Sequence, residues 1–246
     1  PKGASQTEAK AIDLARYTQP SSIWVALMTG HVRLVKMTWL IAHSKAKKVL
    51  ARRQELPEEA FVSVDELKQL YGEGNKDSVL PIVAISFCWL TATHPDPQGQ
   101  QLAIVAAALE REQVKYATAR DSFKGFTEMG VFWDWVSLYQ KDAEGKRTDE
   151  ENLGFGYALH QTMDLWYAHQ GTAVFLLTTL PKDSERKVGY ADSGWTTYER
   201  CSAEQIKKFF LFDAKWKLVL DLGAADSAKA RSWPGGPDGF DELLET

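Results

Sequence analysis

From residue 80 onward the chain alternates short apolar runs with stretches of helical spacing, and this rhythm constrains the fold more than any other feature. The runs are Leu80 to Trp89, Gly130 to Tyr139, Thr172 to Leu177 and Leu218 to Leu222. Between them lie stretches from about Gln100 to Gln113, Glu150 to Gln170 and Trp195 to Lys208 that read as helices; in the second, Phe155, Leu159, Met163 and Trp166 recur at a spacing near that of a helix. Short, uniformly apolar runs are strands buried on both faces, and strands separated by helices make right-handed crossovers in a parallel sheet. The expected class is therefore α/β: a doubly wound, mainly parallel sheet with helices on both faces, its strands at 80–89, 130–138, 172–178 and 218–222.

The rest of the chain is read more coarsely. Residues 1–79 are expected to be a helical N-terminal extension, with one helix around Ile12 to Ala15 and a second carrying Val32, Val35, Trp39 and Leu40 into the basic run Lys45 to Lys48. Cations suit a helix C-terminus, so that run reads as a solvated helix end. Pro57 closes this stretch, and Val64 to Leu70 forms a third short helix. Residues 80–222 make up the α/β domain. Residues 223–246, with Ser232-Trp233-Pro234-Gly235-Gly236-Pro237, are a turn-rich tail that packs on it and ends in a helical turn at Phe240 to Leu244.

The 246 residues are enough to bury a core without staples. A formal net charge of −4 and pI near 5.8 carry no nucleic-acid footprint, so no nucleic-acid partner is expected. No apolar run approaches the roughly 20 residues that span a bilayer, and Pro1 to Lys10 lacks the apolar core of a signal peptide, so a cytoplasmic chain without a membrane partner is expected. The 2 cysteines, Cys88 and Cys201, each fall inside a regular segment, which predicts reduced thiols.

In an open parallel sheet, ligands bind outside the carboxyl ends of the strands. That rule selects Ser86, Phe87 and Trp89 after the first strand, Asp134, Trp135 and Ser137 at the second, and the Gly194-Trp195 start of the third helix. An aromatic stands beside a polar group at these places, which suits a planar, hydrogen-bonding ligand such as a nucleotide; aromatic core packing gives the same composition. Trp195 and Glu199 are one helical turn apart and share a face near the helix N-terminus, where the macrodipole is expected to favour an ionised carboxylate. Weaker constellations are Gly154-Phe155-Gly156, which lacks the third glycine of a dinucleotide fingerprint, His160 with Asp164, which lacks a third metal ligand, Cys88, which reads as packed, and His94 in the turn His94-Pro95-Asp96-Pro97. No metal is expected.

Four blocks of sequence, at residues 82–87, 131–140, 163–168 and 193–199, resemble the Toll/interleukin-1 receptor (TIR) and fungal heterokaryon-incompatibility (HET) families. Ile82-Val83-Ala84-Ile85-Ser86-Phe87 is similar to the first TIR strand, and Val131-Phe132-Trp133-Asp134 to the second. Phe132 to Gln140 resembles the HET strand W-I-D-x-x-C-I-N-Q, Met163-Asp164-Leu165-Trp166-Tyr167 resembles its M-x-x-I-Y helix with Ala168 one place early, and Ser193 to Glu199 resembles R-x-W-T-L-Q-E. Cys88-Trp89 stands where many TIR domains carry a basic residue, and Ser193 or Gly194 where the HET pattern has arginine. The resemblance covers roughly residues 80–200.

The resemblance implies a flavodoxin-like (TIR-like) sheet and, in enzymatic members, cleavage of the nicotinamide–ribose bond of NAD+, which is a substrate and not a retained cofactor. Glu199 maps to the catalytic carboxylate, Trp195, Trp135 or Phe87 to stacking, and Ser86 and Asp134 to hydrogen bonds with the dinucleotide. It equally implies a non-catalytic alternative, a signalling or self-association module that forms homo-oligomers, or a sensor that binds a nucleotide without cleaving it.

Overall fold

The computed structural model describes residues 15–72, 79–118, 126–206, 218–223 and 229–230. In chain order its elements are α1 (Pro20–Met28), β1 (Leu34–Lys36), α2 (Met37–Lys45), β2 (Phe61–Val62), α3 (Val64–Tyr71), β3 (Ile82–Ser86), α4 (Gln100–Thr118), β4 (Gly130–Phe132), α5 (Asp134–Ser137), α6 (Asp149–Tyr157), α7 (Met163–Ala168), β5 (Ala173–Leu176), α8 (Gly194–Ile206), β6 (Val219–Asp221) and β7 (Lys229–Ala230). A π-helical turn, Ala158–Thr162, joins α6 to α7.

The strands form one sheet in the order β2-β1-β4-β3-β5-β6-β7. Its middle is parallel: β3 pairs with β4 and with β5, and β5 with β6. The four expected strands are therefore neighbours in one parallel sheet, and antiparallel strands close both flanks. The alternation of side chains along each strand feeds two cores. Ile82, Ala84, Phe132, Val174, Leu176 and Val219 pack on one side with residues of α1, α7 and α8. Val83, Ile85, Val131, Phe175 and Leu220 pack on the other with residues of α2 and α4. Both faces are covered, which is why these runs read as continuously apolar.

Four expectations are corrected. The stretch over Val32, Val35, Trp39 and Leu40 is not one helix: Leu34–Lys36 is strand β1, and α2 begins only at Met37. Leu34 and Val35 fall in opposite cores, which is strand geometry, and a stretch this short has no room to display its period. Residues 1–79 are thus not wholly helical, because β1 pairs antiparallel with β4 and β2 antiparallel with β1, extending the sheet. Gly130 fits this junction, since a Cβ there would stand 2.8 Å from Leu34 Cδ1.

The second strand is shorter than expected, ending at Phe132. Trp133 then starts a helical turn in which the Ser137 amide donates to the Trp133 carbonyl (2.8 Å) and the Trp133 amide donates to Ser137 Oγ (3.0 Å). The helix expected from Glu150 to Gln170 is divided by the π turn, where Thr162 Oγ donates to the Ala158 carbonyl (2.8 Å). Its start is fixed by a capping box between Thr148 and Glu151, and that of α3 by one between Ser63 and Glu66. The helix read around Ile12 lies outside the described residues except for its last position, Ala15, and the turn at Phe240 to Leu244 lies wholly outside them.

Candidate functional site

The crossover from β3 leads to β4 and that from β5 leads to β6, in opposite directions, so the switch point of the sheet lies at the carboxyl ends of β3 and β5. Ser86 ends β3 there. It has the same parity as Ile82 and Ala84 and so turns toward α8, whereas Phe87 turns into the opposite core and packs edge-on to Trp133 at 5.3 Å. Strand alternation thus separates two residues that the sequence places together, and Phe87 is a core residue here.

Ser86 Oγ meets two partners in a buried cluster. It donates to Glu199 Oε2 at 2.6 Å and lies 2.6 Å from the Tyr190 hydroxyl. A serine hydroxyl has one proton, so with that proton on Glu199 the Tyr190 hydroxyl donates to Ser86. Glu199 is 3% exposed, and Ser86 and Tyr190 are equally enclosed. Tyr167, from α7, completes the wall; its hydroxyl, with a single proton to give, lies 3.3 Å from the Ile85 carbonyl and also faces Glu199.

The electrostatics of Glu199 reverse the expectation of an ionised group. Burial is the largest influence and pushes its carboxyl up from 4.5 to about 8; hydrogen bonds from Ser86, Tyr167 and Trp195 oppose this, and the nearby Asp134 charge adds to it. The helix-dipole argument fails because Glu199 lies beyond the first turn of α8, where the dipole field has faded, while desolvation acts in full. Tyr190 is likewise raised, mainly by burial.

Beside this cluster, on the β4 side, stand Trp89, Asp134 and Trp135. The Trp89 indole donates to Asp134 Oδ2 (2.9 Å), the Trp135 amide donates to Asp134 Oδ1 (2.6 Å), and the two indoles meet edge to face at 5.4 Å. Burial raises Asp134 to about 6 despite those hydrogen bonds. Trp135 and His94 both donate to the Leu50 carbonyl, at 3.0 and 2.9 Å, and the His94 ring lies 5.0 Å from the Trp135 ring. His94 Nδ1 accepts from the Asp96 amide (3.0 Å), which fixes the proton on Nε2.

Of the residues singled out from sequence, Ser86 and Glu199 are in direct contact, with Asp134 close enough to influence Glu199, and Trp89 and Trp135 surround Asp134. Trp195 is half-exposed at the start of α8, 6.0 Å from the Tyr198 ring. Ser137 is elsewhere: fully buried, its carbonyl accepts from the Arg33 amide and the Arg53 guanidinium, so it serves the α5 turn. Sequence reasoning missed Tyr167 and Tyr190. The available signal for Tyr190 was an aromatic inside the otherwise polar loop Pro181 to Gly194.

The remaining constellations carry no site. Cys88 and Cys201 are free, and burial raises the Cys88 thiol. Among the described residues no group of three or more His, Cys, Asp or Glu side chains could hold a metal, and Asp164 is bound by Arg16 and Tyr17. A cleft of about 480 Å³ between α1 and the π turn, lined by Arg16, Gln19, Ser22, Gln161 and Thr162 among others, contains none of the residues selected from sequence. Among the described residues no helix is long and apolar enough to cross a membrane. Compared with protein-family models, curated proteins and solved structures, the chain matches none of them, so the resemblance to TIR and HET sequences rests on its motif residues alone.

Proposed function

We propose that this chain is a TIR-like or HET-like nucleotide-binding domain that cleaves the nicotinamide–ribose bond of NAD+, with Glu199 as the catalytic carboxylate. The order of its parallel strands, second-first-third-fourth, is that of flavodoxin-like sheets and supports the fold part of this reading. The observation that carries the function is Glu199 itself: an enclosed carboxyl group beyond the carboxyl end of β3, hydrogen-bonded to Ser86 at 2.6 Å and raised to about 8 by burial. Paired raised carboxyls, here Glu199 and Asp134, are a recurrent mark of acid–base sites.

The chemistry follows from charge. The nicotinamide ring is cationic in NAD+ and leaves neutral, so breaking its bond to ribose moves positive charge onto the sugar. A cation bound beside Glu199 favours the ionised carboxyl, so binding releases a proton and places a carboxylate against the developing oxocarbenium. Water then adds to the sugar carbon, and its proton passes to Asp134 or Glu199. Trp195, Trp89 and Trp135 supply stacking surfaces at the mouth.

A second reading, a non-catalytic signalling or self-association module or a nucleotide sensor, is favoured by the enclosure of the carboxyl. A substrate reaches it only if the segment carrying Tyr190 moves aside. Incubating the protein with NAD+ and measuring free nicotinamide separates the two. The enzyme reading expects release that Glu199→Gln reduces by about 10²–10⁴ while the fold is retained. No release from assembled wild-type protein refutes it, and a variant that keeps more than about a tenth of the activity removes Glu199 from the role.

A further inference from the structure

The site contains a cation that its acids do not use. Arg186 lies in the loop between β5 and α8, and its Nε donates to the Val188 carbonyl at 2.8 Å while Nη1 donates to the Trp89 carbonyl at 2.9 Å. The first bond braces the loop against itself. The second ties it to Trp89, just beyond β3, the residue whose indole donates to Asp134 at 2.9 Å. The Arg186 charge is also among the influences that lower the Cys88 thiol, and with its bond to the Trp89 carbonyl this sets its head near the carboxyl end of β3.

Neither nearby acid is its counter-ion. Among the described residues no carboxylate lies within ion-pair distance of Arg186. Arg186 is not among the leading influences on Glu199 or Asp134, both of which stay raised. A guanidinium has five N–H donors. With Nε and one Nη1 proton placed on carbonyls, the second Nη1 proton and both Nη2 protons remain, and that edge matches two oxygens of a phosphate. The side chain is only partly exposed, so a phosphate there meets a cation already held in place by two backbone oxygens.

We infer that Arg186 is the anion-recognising residue of this site and takes the diphosphate of a dinucleotide, setting the preference for NAD+ over a nucleoside without phosphate. This rests on the proposed nucleotide function. Loop and ligand are coupled by it: a diphosphate bound at Arg186 draws on the same loop that carries Tyr190 over Glu199.

The test compares wild type, Arg186→Gln and Arg186→Lys for affinity toward NAD+, nicotinamide riboside and inorganic pyrophosphate. The inference expects wild type to prefer NAD+ to the riboside, and Arg186→Gln to shrink that ratio by about ten- to a hundredfold, the usual worth of a charge-assisted contact. Arg186→Lys, which keeps the charge and loses the fork, falls between. An unchanged ratio overturns the inference, whether both affinities hold or both fall together, and leaves the function reading standing. If wild type binds neither nucleotide, the function reading fails, and pyrophosphate then decides alone: binding that Arg186→Gln abolishes supports an anion site, and no binding overturns it.

Discussion

Asp164 and Glu199 are two acids on neighbouring helices, each hydrogen-bonded to a tyrosine, and they titrate in opposite directions. For Asp164, burial is the largest single influence and pushes it up, but the Arg16 guanidinium at 2.8 and 3.0 Å and the Tyr17 hydroxyl at 2.7 Å together bring it below its ordinary value. Glu199 accepts from the Ser86 hydroxyl, only uncharged donors and Asp134 are among its leading influences besides burial, and it rises to about 8. Hydroxyl and indole donors do not offset the desolvation of an enclosed carboxyl; a guanidinium does. Asp164 is therefore fitted to tie residue 16 to α7, and Glu199 to change its charge when something cationic arrives.

The sharpest way to break the comparison is pH. Glu199 is raised from 4.5 to about 8, so the native state holds a proton that the unfolded chain gives up. Its contribution is fully present below about 4.5 and is lost as pH rises through about 8, a fall on the order of 3–5 kcal/mol at most. Asp134, raised to about 6, acts with the same sign over a lower window. Urea midpoints of wild type are thus expected to decline between pH 5 and pH 8, and Glu199→Gln to flatten the upper part of that decline. Equal slopes for the two proteins mean that Glu199 is ionised in the fold and that the contrast with Asp164 does not exist.

How much of this contrast was legible in the sequence depends on what each residue needed. The four parallel strands were, because burial on both faces writes Val83, Val131, Val174 and Leu220 into short apolar runs. Strands β1 and β2 were not: three and two residues carry no period, and their place beside β4 follows from long-range pairing. Ser86 and Glu199 were found from the carboxyl-end rule and the motif. The charge state of Glu199 was not, since it depends on Tyr167 and Tyr190, which reach it from separate elements. Phe87 and Ser137 stand apart from the Ser86–Glu199 cluster for two local reasons: alternation sends Phe87 to the other face, and the α5 turn folds Ser137 inward.

Ser86 sharpens the comparison from the donor side, with a smaller effect. Its hydroxyl holds Glu199 down, so Ser86→Ala is expected to move the Glu199 titration still higher. It also leaves the Tyr190 hydroxyl without its acceptor in a buried place, a loss of about 1–3 kcal/mol. The measurement is the same set of urea midpoints: the variant is less stable at pH 5, and its decline extends further into the alkaline range. A variant equal to wild type at every pH would make Ser86 a spacer and remove it from the site.

Asp164→Asn gives the smallest effect and the opposite sign. Asp164 and Arg16 retain 27% and 37% side-chain exposure, so solvent takes back much of what the pair provides, and a two-bond contact at that exposure is worth about 1 kcal/mol. Because the folded Asp164 lies below its ordinary 3.8, its contribution is present above that value and lost as pH falls through the lower folded one. The difference between wild type and Asp164→Asn is therefore expected to be constant from pH 5 to pH 8, where Glu199 makes stability slope, and to close only in strong acid. If the difference instead changes across the neutral range, Asp164 is coupled to the Glu199 cluster through α7, and Tyr167, three residues along that helix, is the connection to test next.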